Sequence, residues 1–169
     1  MALAENVIRF LQENKVTVST AESCTAGLLA STFASVSGCG SVLEGGYVVY
    51  SKLAKYNYLG VSLKTMEIFG LTSEEVAREM VNGLARRSHT NFFIAITGTA
   101  ESSDSLNGVV CFAYGMKCGG NLVVTSETRK FNGDRNKVIA SAVNHVLYFI
   151  PKVYWMLSEH FSRQANTST

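Results

Sequence analysis

Phe92-Phe-Ile-Ala-Ile96 is an unbroken run of five apolar residues. A strand with that pattern must be covered on both faces, because either face alone would put large apolar side chains in water. The surrounding sequence supplies the covers. Leu3, Val7, Ile8 and Leu11 recur at helical spacing, which predicts an amphipathic helix over about residues 2–14. Thr25 to Ser37 reads as a second helix with Leu28, Leu29, Ala30 and Phe33 on its buried side. Thr72-Ser-Glu-Glu75 has the form of a capping box and opens a third, carrying Val76, Met80, Val81 and Leu84. Shorter helices are expected over 52–59 and 63–69, around a turn at Gly60. A last long helix starts near Asp134, and Pro151 is expected to kink it or end one piece of it. Further strands are predicted at Val16–Thr20, Gly46–Tyr50, Gly108–Met116 and Leu122–Phe131. Lys117-Cys-Gly-Gly120 joins the last two as a hairpin. Helices alternate with strands first and a hairpin comes late, an order that predicts a three-layer α/β/α sandwich with a mixed sheet.

With 169 residues, the chain has room for one domain with a sizeable core, here assigned to residues 1–163, with Gln164–Thr169 as a frayed polar tail. Val153, Tyr154, Trp155, Leu157 and Phe161 form an apolar stripe near its end, suited to core packing or to a subunit interface. The formal net charge is +2 and the only adjacent basic pairs are Arg86-Arg87 and Arg129-Lys130, so no nucleic-acid partner is expected. Cys24, Cys39, Cys111 and Cys118 are widely spaced, without a Cys-x-x-Cys or Cys/His ligand pattern. Reduced thiols are the expectation. The first residues lack the basic region and apolar run of a secretory signal, and no stretch approaches 18 apolar residues. A cytoplasmic protein with no membrane association is expected.

Open α/β sheets bind ligands beyond the carboxyl ends of their strands, where helix N-termini offer unpaired N–H groups. Four segments fall at such transitions: Glu22–Thr25, Tyr50–Lys55, Thr97–Ala100 and Gly133–Arg135. Each joins small residues to hydroxyls or a charge. The sequence has no P-loop, no Gly-x-Gly-x-x-Gly, no Gly-x-Ser-x-Gly and no His-Glu-x-x-His. His89, His145 and His160 fall on predicted helices or their ends, with no pattern of partners. Hydrolysis without histidine or metal leaves a serine–lysine arrangement as the main route, the lysine acting as base once a pocket desolvates it. Lys55, just after a strand end, is the candidate.

These same segments resemble the CinA C-terminal domain family, the nicotinamide-nucleotide amidases. Thr20-Ala-Glu-Ser-Cys-Thr-Ala-Gly-Leu-Leu29 is similar to the family's A-E-S-C-T-G-G-L element. Gly45-Gly-Tyr-Val-Val-Tyr-Ser-Lys-Leu-Ala-Lys55, with Leu59-Gly-Val61 after it, resembles G-G-x-V-x-Y-S-N-x-A-K…L-G-V. Thr97-Gly-Thr-Ala100 and Phe131-Asn-Gly-Asp-Arg135 stand for T-G-I-A-G-P and F-x-G-D-R. The resemblance implies an α/β/α domain, often a homo-oligomer (dimer or larger), that deamidates nicotinamide mononucleotide to nicotinic acid mononucleotide and ammonia with no metal and no cofactor. It implies Lys55 as proton acceptor, Ser23 or a loop residue as nucleophile, and Tyr50 orienting the nicotinamide end. Thr25, Gly46, Thr97, Gly98 and Arg135 would contact the ligand.

The sequence departs from the family's pattern at two loops. Ser37-Gly-Cys-Gly40 replaces P-G-S-S, so the second serine of the family's site is Gly40 here, flanked by Cys39 and Ser41 as stand-ins should the loop shift. Thr97-Gly-Thr-Ala-Glu-Ser-Ser-Asp104 loses the later glycines of T-G-I-A-G-P-x-G-G and gains Glu101 and Asp104, two carboxylates that would repel a phosphorylated ligand. Two functions follow: a working amidohydrolase, or a paralogue that keeps the fold and binds ligands or partners without the chemistry.

Overall fold

The computed structural model describes the backbone of residues 2–167 and the side chains of residues 2–163. Its centre is a five-stranded sheet of order β2-β1-β3-β4-β5, built from β1 (Val18–Glu22), β2 (Leu43–Val48), β3 (Phe92–Thr99), β4 (Val109–Cys118) and β5 (Asn121–Lys130). β1 runs parallel to both β2 and β3, while β4 and β5 add antiparallel strands. The sheet is mixed, as the segment order implies.

The alternation of side chains along β3 divides the core in two. Phe92, Ile94 and Ile96 join α1 (Ala2–Glu13), α2 (Leu28–Ala34) and α6 (Arg135–Thr167) on one face. Phe93 and Ala95 meet the opposite layer, which contains α5 (Glu74–Arg87) and Met66 of α4 (Leu63–Phe69). The apolar run therefore is covered on both sides, and the three layers are present. Across the hairpin, Gly119 and Gly120 both take positive φ, at 56° and 86°, as a tight two-residue connection requires.

Pro151 does not end α6, whose backbone is helical as far as Thr167; the last two residues lie outside the described ones. Ile150, Val153 and Leu157, buried on either side of the proline, hold the helix on the sheet despite the lost backbone donor. Within the apolar stripe, Val153 and Leu157 are core, Tyr154 and Phe161 lean on it, and Trp155 remains exposed. The cap of α5 is Ser73, whose side chain accepts from Val76 N, and not Thr72. Thr72 instead hydrogen-bonds Thr99 across to β3. Residues 52–59 form one short helix, α3 (Lys52–Ala54), that widens into a π-turn over Lys55–Leu59. No helix among the described residues is long and apolar enough to cross a membrane.

Candidate active site

The chain leaves β1 towards β2 on one side and later returns to β3 on the other, so the carboxyl end of β1 is where the sheet's winding reverses. A crevice opens at such a point because successive connections diverge from it. Here it is lined by Ser23, Cys24, Tyr50, Lys55, Leu71, Thr72, Thr97, Gly98, Thr99, Ala100, Glu101 and Arg135.

Ser23 follows the last residue of β1, and its N–H donates to Ile96 O at 2.9 Å, tying the loop to β3. Ala26 and Gly27 then turn the chain through positive φ of 48° and 93° into α2. Glu22 fixes this turn from beneath. Its buried carboxylate accepts from Thr25 Oγ1 at 2.7 Å, Leu29 N at 3.0 Å and Ala30 N at 2.9 Å, occupying the open N–H groups of α2.

Lys55 opens the π-turn and is 1% exposed. Its Nζ donates to Ser23 Oγ at 2.8 Å, to Val49 O at 3.0 Å and to Tyr50 O at 3.2 Å. Burial lowers its pKa from 10.5 to about 8. Burial likewise raises the thiol of Cys24 to about 11, which keeps it protonated and a poor nucleophile at neutral pH. When Lys55 loses its proton, the two remaining N–H groups match the two carbonyls, and the lone pair is left pointing at Ser23. The arrangement suits a general base beside a serine nucleophile.

Of the expected residues, Ser23, Tyr50, Lys55, Thr97, Gly98 and Arg135 meet in this cleft. Arg135, first in α6, donates to the phenol oxygen of Tyr50 at 2.5 Å, and Thr97 Oγ1 donates to Leu71 O at 2.8 Å. Thr25 and Gly46 do not line it. Thr25 is buried and spent on Glu22. Gly46 is a packing glycine, since a Cβ there would lie 2.7 Å from Thr20 Oγ1 and 3.0 Å from Ala30 Cβ.

Cys39 and Ser41 are not brought to this cleft. They form a helical turn just before β2, at the amino end of the parallel strands, while the cleft lies beyond their carboxyl ends. Ser41 Oγ donates to Gly38 O and accepts from Gln12 Nε2, and Cys39 Sγ donates to Ala34 O. A one-residue shift of that loop cannot span the length of a strand. Of the two added carboxylates, Glu101 lines the cleft, whereas Asp104 accepts from Leu106 N and holds its own loop. Leu71 and Thr72 were not foreseen, because only the tertiary fold brings the segment between α4 and α5 to the cleft.

Residues 1–154 match the family described as CinA C-terminal domain. A putative competence-damage inducible protein of Alkaliphilus oremlandii is 38% identical over 151 residues, covering 87% of this chain and 36% of that protein. A CinA-like protein of Fervidobacterium nodosum is 41% identical over 136 residues, covering 78% of this chain and 32% of its own length. The chain thus spans about a third of these relatives. Among solved structures, competence damage-inducible protein A of Klebsiella pneumoniae superposes with a TM-score of 0.82 at 29% identity, covering 89% of this chain and 94% of that one. The competence/damage inducible protein of Agrobacterium tumefaciens gives 0.81 at 31% identity, with 90% and 94% covered. A serine held against a buried lysine at the sheet's winding reversal therefore lies in a chain that belongs to the CinA C-terminal domain family.

Proposed function

We propose that the cleft is the active site of an amidohydrolase, with Ser23 as nucleophile and Lys55 as base. The substrate is nicotinamide mononucleotide or a close relative, as the family resemblance implies. One observation carries the reading: the 2.8 Å contact between Ser23 Oγ and a lysine whose pKa burial lowers to about 8. Neutral Lys55 takes the serine proton as Oγ attacks the carboxamide carbon. Its ammonium then returns that proton to the departing nitrogen, releasing ammonia and leaving an ester on Ser23. Water, deprotonated by the same amine, attacks the ester, and the carboxylic acid product leaves as serine is restored. Tyr50, held by Arg135, offers a ring at the cleft mouth for an aromatic amide to lie against. A homo-oligomer belongs to the same reading: Val48, Leu53, Tyr56 and Tyr58 are exposed along and after β2, a strand at the sheet edge.

A second reading, a binding protein without turnover, is favoured by the position of the Ser37–Ser41 loop, which brings no hydroxyl to the cleft. Ammonia release from nicotinamide mononucleotide and its dephosphorylated riboside separates the two. Turnover should fall by a factor on the order of 10³ or more in Ser23→Ala. Background release by the wild type on both substrates would overturn the amidase reading, and unchanged turnover in Ser23→Ala would overturn the nucleophile.

A further inference from the structure

β3 ends in the cleft, and its alternation puts Thr97 and Thr99 on the face that Phe93 and Ala95 share, towards α5. Both threonines reach the segment between α4 and α5. Thr97 Oγ1 spends its proton on Leu71 O at 2.8 Å. Thr99 Oγ1 lies 2.8 Å from Thr72 Oγ1, and either can be the donor. That contact uses one of the two hydroxyl protons. Among the described residues nothing takes the other, and lone pairs remain on both oxygens. Ser73, by contrast, is fully engaged: its Oγ donates to Gly70 O and accepts from Val76 N. Thr72 and Thr99 both line the cleft, so the spare O–H and the spare lone pairs are available to a ligand there. Where this chain has Thr99, the T-G-I-A-G-P element carries an isoleucine, which offers no hydrogen bond.

We propose that the Thr72–Thr99 pair recognises a sugar hydroxyl of the ligand and so selects a glycosylated carboxamide over the bare ring. A donor and an acceptor side by side match an alcohol, which itself donates and accepts. A ligand with no alcohol at that point covers the spare hydroxyl without bonding it and bears the cost of its desolvation. The spacing along the strand agrees. Ser23 N is bonded to Ile96 O, and Thr99 lies three residues further on, roughly 10 Å at the usual rise of a strand. An amide carbon at Ser23 therefore leaves a ring's breadth before the pair, and a substituent on the far side of that ring meets the two hydroxyls. Tethering the α4–α5 segment does not require the pair, because Thr97 already holds Leu71 and Ser73 holds Gly70. The ring and its carboxamide rest on the amidase reading, whereas the match to an alcohol rests on the pair.

Binding and turnover are measured separately. Calorimetric titration at pH 7, where Lys55 is mostly protonated, compares nicotinamide riboside with nicotinamide methylated on its ring nitrogen. The methyl compound keeps the cationic ring and the carboxamide but has no sugar. The wild type should bind the riboside more tightly. The double variant Thr72→Val, Thr99→Val, which keeps the shape of both side chains, should weaken the riboside roughly three- to tenfold and leave the methyl compound unchanged. Should the double variant not fold, Thr99→Val alone is titrated, with a loss at the lower end of that range. Parallel weakening of both compounds marks a purely structural pair and overturns the proposal. So does a riboside affinity that the variants do not move, or binding of neither compound to the wild type. Ammonia release at pH 9 separates the two ideas. Turnover of the riboside with an unmoved binding ratio keeps the amidase and removes the hydroxyl site. A sugar-dependent loss of binding without any turnover does the reverse.

Discussion

Lys55 is the residue on which the chemistry turns, and its environment makes two linked statements about pH. Its folded pKa of about 8 lies below the ordinary 10.5, so the folded state binds this proton more weakly than the unfolded chain does. Below about 8 both states hold the proton and folding bears the full cost of the buried charge. Between about 8 and 10.5 the folded state sheds it first, and stability rises with pH. Wild-type stability relative to Lys55→Met should therefore improve across that window in denaturant titrations. Turnover should climb with pH through about 8, as the free amine forms, and Lys55→Met should lose that limb together with the activity. A flat rate between pH 6 and 9 would remove Lys55 as base. At this scale the sequence was partly legible. Ser23, Tyr50, Lys55, Thr97, Gly98 and Arg135 were found because each ends a strand or starts a helix, and strand ends in a parallel sheet share one side of the molecule. Thr25 shares that location but is spent on Glu22, while Gly46 sits within β2 as a packing glycine, and nothing in a residue's type tells a ligand contact from a packing contact.

At the scale of elements, the π-turn over Lys55–Leu59 does the positioning. It closes at Gly60, whose φ is 72°, and the Lys55 carbonyl accepts from Val61 N at 3.1 Å. α5 clamps it from outside: Arg86 and Arg87 each donate to Leu59 O at 3.3 Å. Gly83 allows the approach, since a Cβ there would sit 2.3 Å from Leu59 O and 2.8 Å from Leu59 Cβ. Gly83→Ala must push backbone against backbone. It should cost roughly 1–3 kcal/mol in urea unfolding and displace the turn that carries Lys55. A fully stable variant would show that α5 and the turn are free to slide. The periodic pattern announced a helix over 52–59, but not its widening, because insertion of one residue into a turn depends on what packs outside it. Pro151 does not end α6 for a similar reason: a helix pressed along a sheet by Ile150, Val153 and Leu157 tolerates one missing bond.

For the whole molecule, layer order and mixed sheet were legible because they follow from the covered apolar run and the sequence of segments. The distance between the Ser37–Ser41 loop and the cleft was not, since motifs close in sequence can be sent to opposite ends of a strand. The same topology separates the halves of the sheet by contact range. β4 and β5 pair through a turn of two glycines, while β1 must await β3 some 70 residues later, with Val18 opposite Phe92 and Ser23 N reaching Ile96 O. Ser23, Lys55, Thr97 and Arg135 arrive on four distant stretches of chain. Near neighbours meet early in folding and distant ones late. In stopped-flow refolding, the far-ultraviolet signal of the hairpin and helices should recover ahead of ligand binding. The cleft is then the last part of this protein to come into being and the first to be lost: a chain not yet fully folded passes as structured while having no site at all.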